Sequence, residues 1–120
     1  MAPGVSRPRA PKKDANHGEI VAKFLDHGAS VLDVSSLPGE ALDIVVGYSG
    51  IDQRVEIKDG AKVPSARKLT DSEAETFRTW KGRPPIVVAC LEDVTAVLVA
   101  MRDEAVRLSV AKSMSALSGR

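Results

Sequence analysis

The chain has 120 residues, 17 basic and 16 acidic side chains, and a formal net charge of +1. That length makes one domain able to bury about two-thirds of its unfolded surface without staples. One cysteine, Cys90, excludes an internal disulfide framework and a Cys-based zinc site, and no apolar run approaches the length of a membrane span. No signal-peptide core follows Met1 either, so a cytoplasmic protein is expected, in a bacterium or a phage-infected host.

The charge is unevenly spread. Residues 1–13 contain Arg7, Arg9, Lys12 and Lys13 and no acid, which leaves 13 basic against 16 acidic residues, net −3, in the rest. Pro3, Pro8 and Pro11 oppose regular structure there, so a flexible basic arm is expected, either inert or in contact with nucleic-acid phosphates. A cationic arm beside an acidic body suits a protein that touches an anionic polymer.

The first helix is predicted from Asn16, with Glu19 at capping-box spacing. Ile20, Val21, Phe24 and Leu25 recur at helical intervals, and Gly28 closes the element. His27 falls at the helix end, where it suits the dipole. Ala29 to Val34 reads as a strand and Ser35 to Glu40 as a loop. Two further strand-like runs, Leu42 to Val46 and Val55 to Lys58, flank Tyr48-Ser49-Gly50-Ile51. Asp59 to Lys68 is predicted to be a polar loop that Pro64 keeps irregular. Thr70 and Glu73 form a second capping box, opening a helix through Trp80. Ile86 to Ala89 is apolar throughout, hence a buried strand parallel to a neighbour, with Cys90 expected as a small apolar residue in or beside it. Leu91 to Met101 is a third helix, and residues 103–120 are a helical extension or tail. The order is α-β-β-β-α-β-α, an α/β (α+β) chain with a mixed central sheet flanked by helices and a body over 14–102.

Asp43 and Glu56-Ile57-Lys58 are the chemically suggestive residues. Glu56 and Lys58 share one strand face, while Val55 and Ile57 share the other. A two-residue turn at Ser49-Gly50 pairs Tyr48 with Ile51 and sets Asp43 opposite Glu56. Opposed like charges destabilise a hairpin unless a cation lies between them, and a divalent metal fits that place. A bulged turn would slip the register and send Asp43 to the other face, leaving an amphipathic hairpin with a solvated outer side.

These residues resemble the signature of the PD-(D/E)XK nuclease superfamily, and more closely its small phage-type members related to the VRR-NUC domain and to Holliday-junction resolvases. The resemblance covers about residues 14 to 100. It rests on Asp43 at the start of the second strand, Glu56-Ile57-Lys58 on the third, and Asp14-Ala-Asn-His-Gly-Glu19-Ile-Val on the first helix. Leu69-Thr70 leading a helix with Phe77 and Trp80 belongs to it too. Leu42 stands where the family usually has proline, and His17 where relatives often have Gln.

The resemblance implies a restriction-endonuclease-like core and a magnesium- or manganese-dependent endodeoxyribonuclease, structure-directed or nicking. The alternative is a DNA-binding or assembly module that keeps the fold without the activity. Asp43, Glu56, Lys58 and Glu19 are the expected catalytic residues, with Asp43, Glu56, Glu19 and the Ile57 carbonyl around the metal. Glu19 also has the purely structural reading of a cap. His17 is expected at the surface or on a phosphate. Lys62, Arg67, Lys68 and the arm residues Arg7, Arg9, Lys12 and Lys13 are further expected DNA contacts, with solvated loop charge as the alternative for the loop residues. The partner is duplex or branched DNA, with a homodimer through the last helix conceivable. Only four aromatics are present, three or more at core-like positions, so a base-stacking platform is not expected.

Overall fold

The hairpin turn decides the register, and Ser49 and Gly50 both have positive φ, 55° and 78°. Positive φ at both central residues is the requirement of a type I′ turn, whose twist matches the flanking strands. The computed structural model describes residues 14–38 and 42–118, with the backbone alone at 66 and 67. Strand β2, Ile44–Tyr48, pairs antiparallel with β3, Ile51–Ile57, from Tyr48↔Ile51 to Ile44↔Val55. The next pair by count is Asp43 opposite Glu56, as the two-residue turn predicts.

Strand β1, Ser30–Asp33, pairs antiparallel with β2, and β4, Ile86–Val88, runs parallel to β3. The four-stranded mixed sheet has the order β1-β2-β3-β4. Helices α1, His17–Asp26, and α3, Leu91–Leu117, cover one face. There Ile44, Val46, Val55, Ile57 and Val88 meet Ile20, Phe24, Val94, Leu98 and Met101 in the core. Helix α2, Asp71–Thr79, follows a 3₁₀ turn at Pro64–Arg67 and meets the other face through Glu73 on Lys58 and Trp80 on Arg54. The chain is therefore α/β, with the expected element order.

Several local expectations differ. Asn16 makes no capping bond. Its amide instead donates to the carbonyls of Lys58 and Ala89, at 3.1 and 3.2 Å, satisfying acceptors where β3 and β4 end. Thr70 and Glu73 do form the reciprocal capping box. Pro64 begins the 3₁₀ turn, because a first position needs no N–H donor. Cys90 is exposed at the start of α3, since the strand stops at Val88. Phe24 is buried, but Phe77 is only partly so and Trp80 is 46% exposed, so the aromatics are less central than expected.

Helix α3 runs 27 residues, well past Met101. Its core-facing residues end there, and Val106, Leu108, Val110, Met114 and Leu117 are exposed. Among the described residues, no helix is long and apolar enough to cross a membrane.

Candidate active site

Asp43 and Glu56 lie at the end of the hairpin, on the face away from the main core. Counting from the Tyr48↔Ile51 closing pair makes Asp43 and Glu56 a non-hydrogen-bonded pair, the kind in which opposed side chains come closest. Asp43 Oδ2 accepts the Ile57 N–H at 2.7 Å, so the carboxylate occupies a place a backbone carbonyl would otherwise fill. Glu56 is 6% exposed. Lys58 Nζ, on the same strand face, lies 3.8 Å from Glu56 Oε1. The three signature side chains therefore converge.

Lys58 has a closer partner in Glu73, whose Oε1 is 2.8 Å from Nζ. The same oxygen accepts the Thr70 N–H at 2.8 Å. Glu73 thus caps α2 and anchors it to the site lysine at once. Its spacing from Thr70 fully explained it as a cap, which hid the second role.

Burial acts first on all these groups. It pushes the Glu56 carboxyl up to about 9, helped by a hydrogen bond to Glu73 and by the charges of Asp43 and Glu73, against the pull of Lys58. Burial also raises Asp43, against the Ile57 N–H and the field of His17. For Glu73 burial is outweighed by hydrogen bonds from Glu56, Lys58 and the Thr70 N–H, and its carboxyl falls to about 2. Burial disfavours the Lys58 ammonium, but the bond to Glu73 and the charges of Glu73, Glu56 and Asp14 more than compensate and hold it above its ordinary value. Without a metal, Glu56 holds a proton near neutral pH while Glu73 and Lys58 are ionised.

The residues around this centre are not all those expected. His17 is buried, not at the surface; its Nε2 lies 2.9 Å from Asp33 Oδ2. Asp33 is fixed in turn by the Ser35 hydroxyl and N–H, at 2.6 and 3.0 Å. Burial raises its pKa, but these bonds and His17 outweigh that and hold the carboxyl far below the usual range. Residues 17 and 33 face each other because α1 covers the same sheet face from which Asp33 projects, a tertiary pairing that local spacing does not announce. The His17 Nδ1 atom finds no hydrogen-bond partner among the described residues.

Glu19 does not join Asp43 and Glu56. It is exposed and lines a separate cleft with Asp59, Gly60, Cys90 and Glu92. The acid from this segment that acts on the site is Asp14, whose charge is felt by both Asp43 and Lys58. Asp14 also pairs with Lys62 at 3.3 Å, which draws one expected DNA contact toward the centre. Lys68 is exposed. Arg7, Arg9, Lys12, Lys13 and the Arg67 side chain lie outside the described residues.

Sequence reasoning also passed over Arg54, which projects from the same face of β3 as Glu56. Its Cζ atom lies 4.1 Å from the centre of the Trp80 ring.

Among the described residues, no three His, Cys, Asp or Glu side chains converge into a metal-ligating group. Asp43 and Glu56 form a pair, and a pair of hard carboxylate oxygens completed by water and a substrate phosphate is how magnesium is usually held. The donor chemistry therefore fits a magnesium or manganese ion with Asp43 and Glu56 as ligands, without Glu19. Comparison of the chain with protein-family models, with curated proteins and with solved structures gives no match.

Proposed function

We propose that the protein is a magnesium- or manganese-dependent endonuclease of the PD-(D/E)XK type, acting in the cytoplasm on duplex or branched DNA. One observation carries the reading. Two carboxylates, Asp43 and Glu56, face each other across a fixed hairpin beside Lys58, in surroundings that make their joint ionisation costly. A divalent cation would relieve that cost, and among the described residues Lys58 does so only in part.

Asp43 and Glu56 would hold the ion, with the Ile57 carbonyl as a further oxygen. When bound, the ion would lower the pKa of an attacking water and neutralise charge developing on the phosphate. Glu56 must first give up its proton. Lys58 offers N–H donors to the phosphate or to the attacking water, and its ammonium is kept charged for that role. Glu73 holds Lys58 in place from α2. Two copies joined along α3 would offer two sites to two strands.

A non-catalytic DNA-binding module is the second reading. The 2.8 Å Lys58–Glu73 bond favours it, because that lysine already has a full carboxylate partner.

Plasmid cleavage separates the two readings. The parent is expected to nick or cut DNA with magnesium or manganese and not in EDTA. Asp43→Asn, Glu56→Ala and Lys58→Ala should each lower the rate by about a hundredfold or more. Cleavage that persists in these variants defeats the site assignment. Binding without cleavage, across supercoiled, linear and junction DNA, supports the second reading.

A further inference from the structure

Arg54 precedes Glu56 by two residues on β3, so both side chains leave the sheet on the same face. Their Cα atoms are separated by about 6.6 Å at the ordinary strand rise. The face thus reads Arg54, Glu56, Lys58, with a cation on each side of the carboxylate.

Arg54 is held by an unusual support. Its guanidinium stacks 4.1 Å from the ring centre of Trp80, which sits at the end of α2 and is 46% exposed. The chain after the helix passes so close to the indole that a Cβ on Gly82 would lie 2.8 Å from Trp80 Nε1. A side chain at residue 82 would have to displace the indole from this place beside Arg54. Three other described arginines pair with carboxylates instead: Arg78 with Glu75, and Arg83 and Arg107 with Glu104. Among the described residues, no carboxylate pairs with Arg54.

We propose that Arg54, seated over Trp80, is a phosphate-binding residue that grips the DNA backbone beside the phosphodiester under attack. The proposal rests on the nuclease reading and names a substrate contact for that same site. A stacked guanidinium keeps its N–H fork free at the edge, and that fork matches two phosphate oxygens. Stacking also restricts the side chain in advance, so less freedom is lost on binding. The cation lies one side-chain step from the carboxylates, where the strand leaving the metal site carries its neighbouring phosphate. Trp80 acts as a positioning residue, reached by DNA through Arg54.

The 120-residue protein tests this directly, because Trp80 is the only tryptophan in its sequence. A short DNA duplex and a four-way junction, each fluorescently labelled, are titrated in calcium buffer over a range of salt concentrations. Trp80 emission should change as DNA binds to the parent. Arg54→Ala should weaken binding about tenfold or more and lower the slope of log K against log salt by about one. Arg54→Lys, which keeps the charge and the fold, should restore the slope but only part of the affinity. Trp80→Ala should weaken binding less and leave the slope unchanged. In magnesium, Arg54→Ala should raise KM while kcat is largely kept.

Parental affinity and salt slope in Arg54→Ala, with the parent cleaving DNA normally, overturn the Arg54 assignment alone. A parent that binds neither DNA form overturns the nuclease reading, and this assignment with it.

Discussion

Glu56 is the residue on which the chemistry and the stability of the protein meet. Its carboxyl is raised from 4.5 to about 9 in the folded chain. Between those values the unfolded chain gives up a proton that the folded chain retains, so folding becomes less favourable as pH rises. The contribution is fully present below about pH 4.5 and is lost as pH climbs through about 9. Glu73 does not oppose it in that window, because its own lowered pKa acts between about 2 and 4.5. Urea unfolding in EDTA should show the parent losing on the order of a few kcal/mol from pH 5 to pH 9. Glu56→Gln, neutral throughout, should flatten that slope, and a parent already flat over this range would contradict the buried, protonated Glu56. The placement of Glu56 opposite Asp43 and beside Lys58 was legible in the sequence because strand periodicity of two tells which residues share a face. The role of Glu73 was not, because a local explanation was already complete. His17 was hidden for a different reason: its partner, Asp33, comes from a strand whose placement under α1 depends on the whole core.

At the scale of elements, the hairpin carries the site, and its turn sets the register. Ser49 adopts φ 55°, where a residue with a Cβ is strained and asparagine is better tolerated. Ser49→Asn should therefore stabilise the protein by about 0.5–1 kcal/mol in denaturant titrations with the cleavage rate unchanged. A loss of activity in that variant would show that Asp43 and Glu56 depend on a different register. The strands were legible from alternation and apolar runs, the start of α2 from its capping box and the end of α1 from Gly28. The length of α3 was not. Its apolar spacing toward the core ends at Met101, and beyond it only helix propensity, from residues such as Ala105, Arg107, Leu108, Ala111, Lys112 and Met114, continues the element. The bond between Asn16 and the strand ends was illegible for the opposite reason, since its sequence context announced a cap.

For the whole molecule, the part of α3 beyond Met101 extends about 24 Å at the helical rise. Val106, Val110, Met114 and Leu117 fall along one side of it, continuous with Val99 before it, and are all exposed. An unsupported helix of that length is marginal in water, so pairing with a second copy is the expected outcome. Sedimentation should show a concentration-dependent dimer, and Val106→Glu combined with Val110→Glu should leave a monomer with the same fold. A monomeric parent at high concentration would remove the two-site arrangement and leave the single site intact. Asn16 has a further bearing on how the molecule comes apart. By joining the first turn of α1 to Lys58 and Ala89, it makes the helix and both strand ends one cooperative unit. Amide hydrogen exchange at Lys58 and Gly60, which donate to Val88 and Ala89, should keep pace with exchange in α1. Asn16→Ala should uncouple the two, with the strand ends exchanging first. A site built this way cannot loosen by itself: the fluctuation that frees the Lys58 backbone also peels a helix from the core, so the site is as rare in its open form as the domain is in its partly unfolded one.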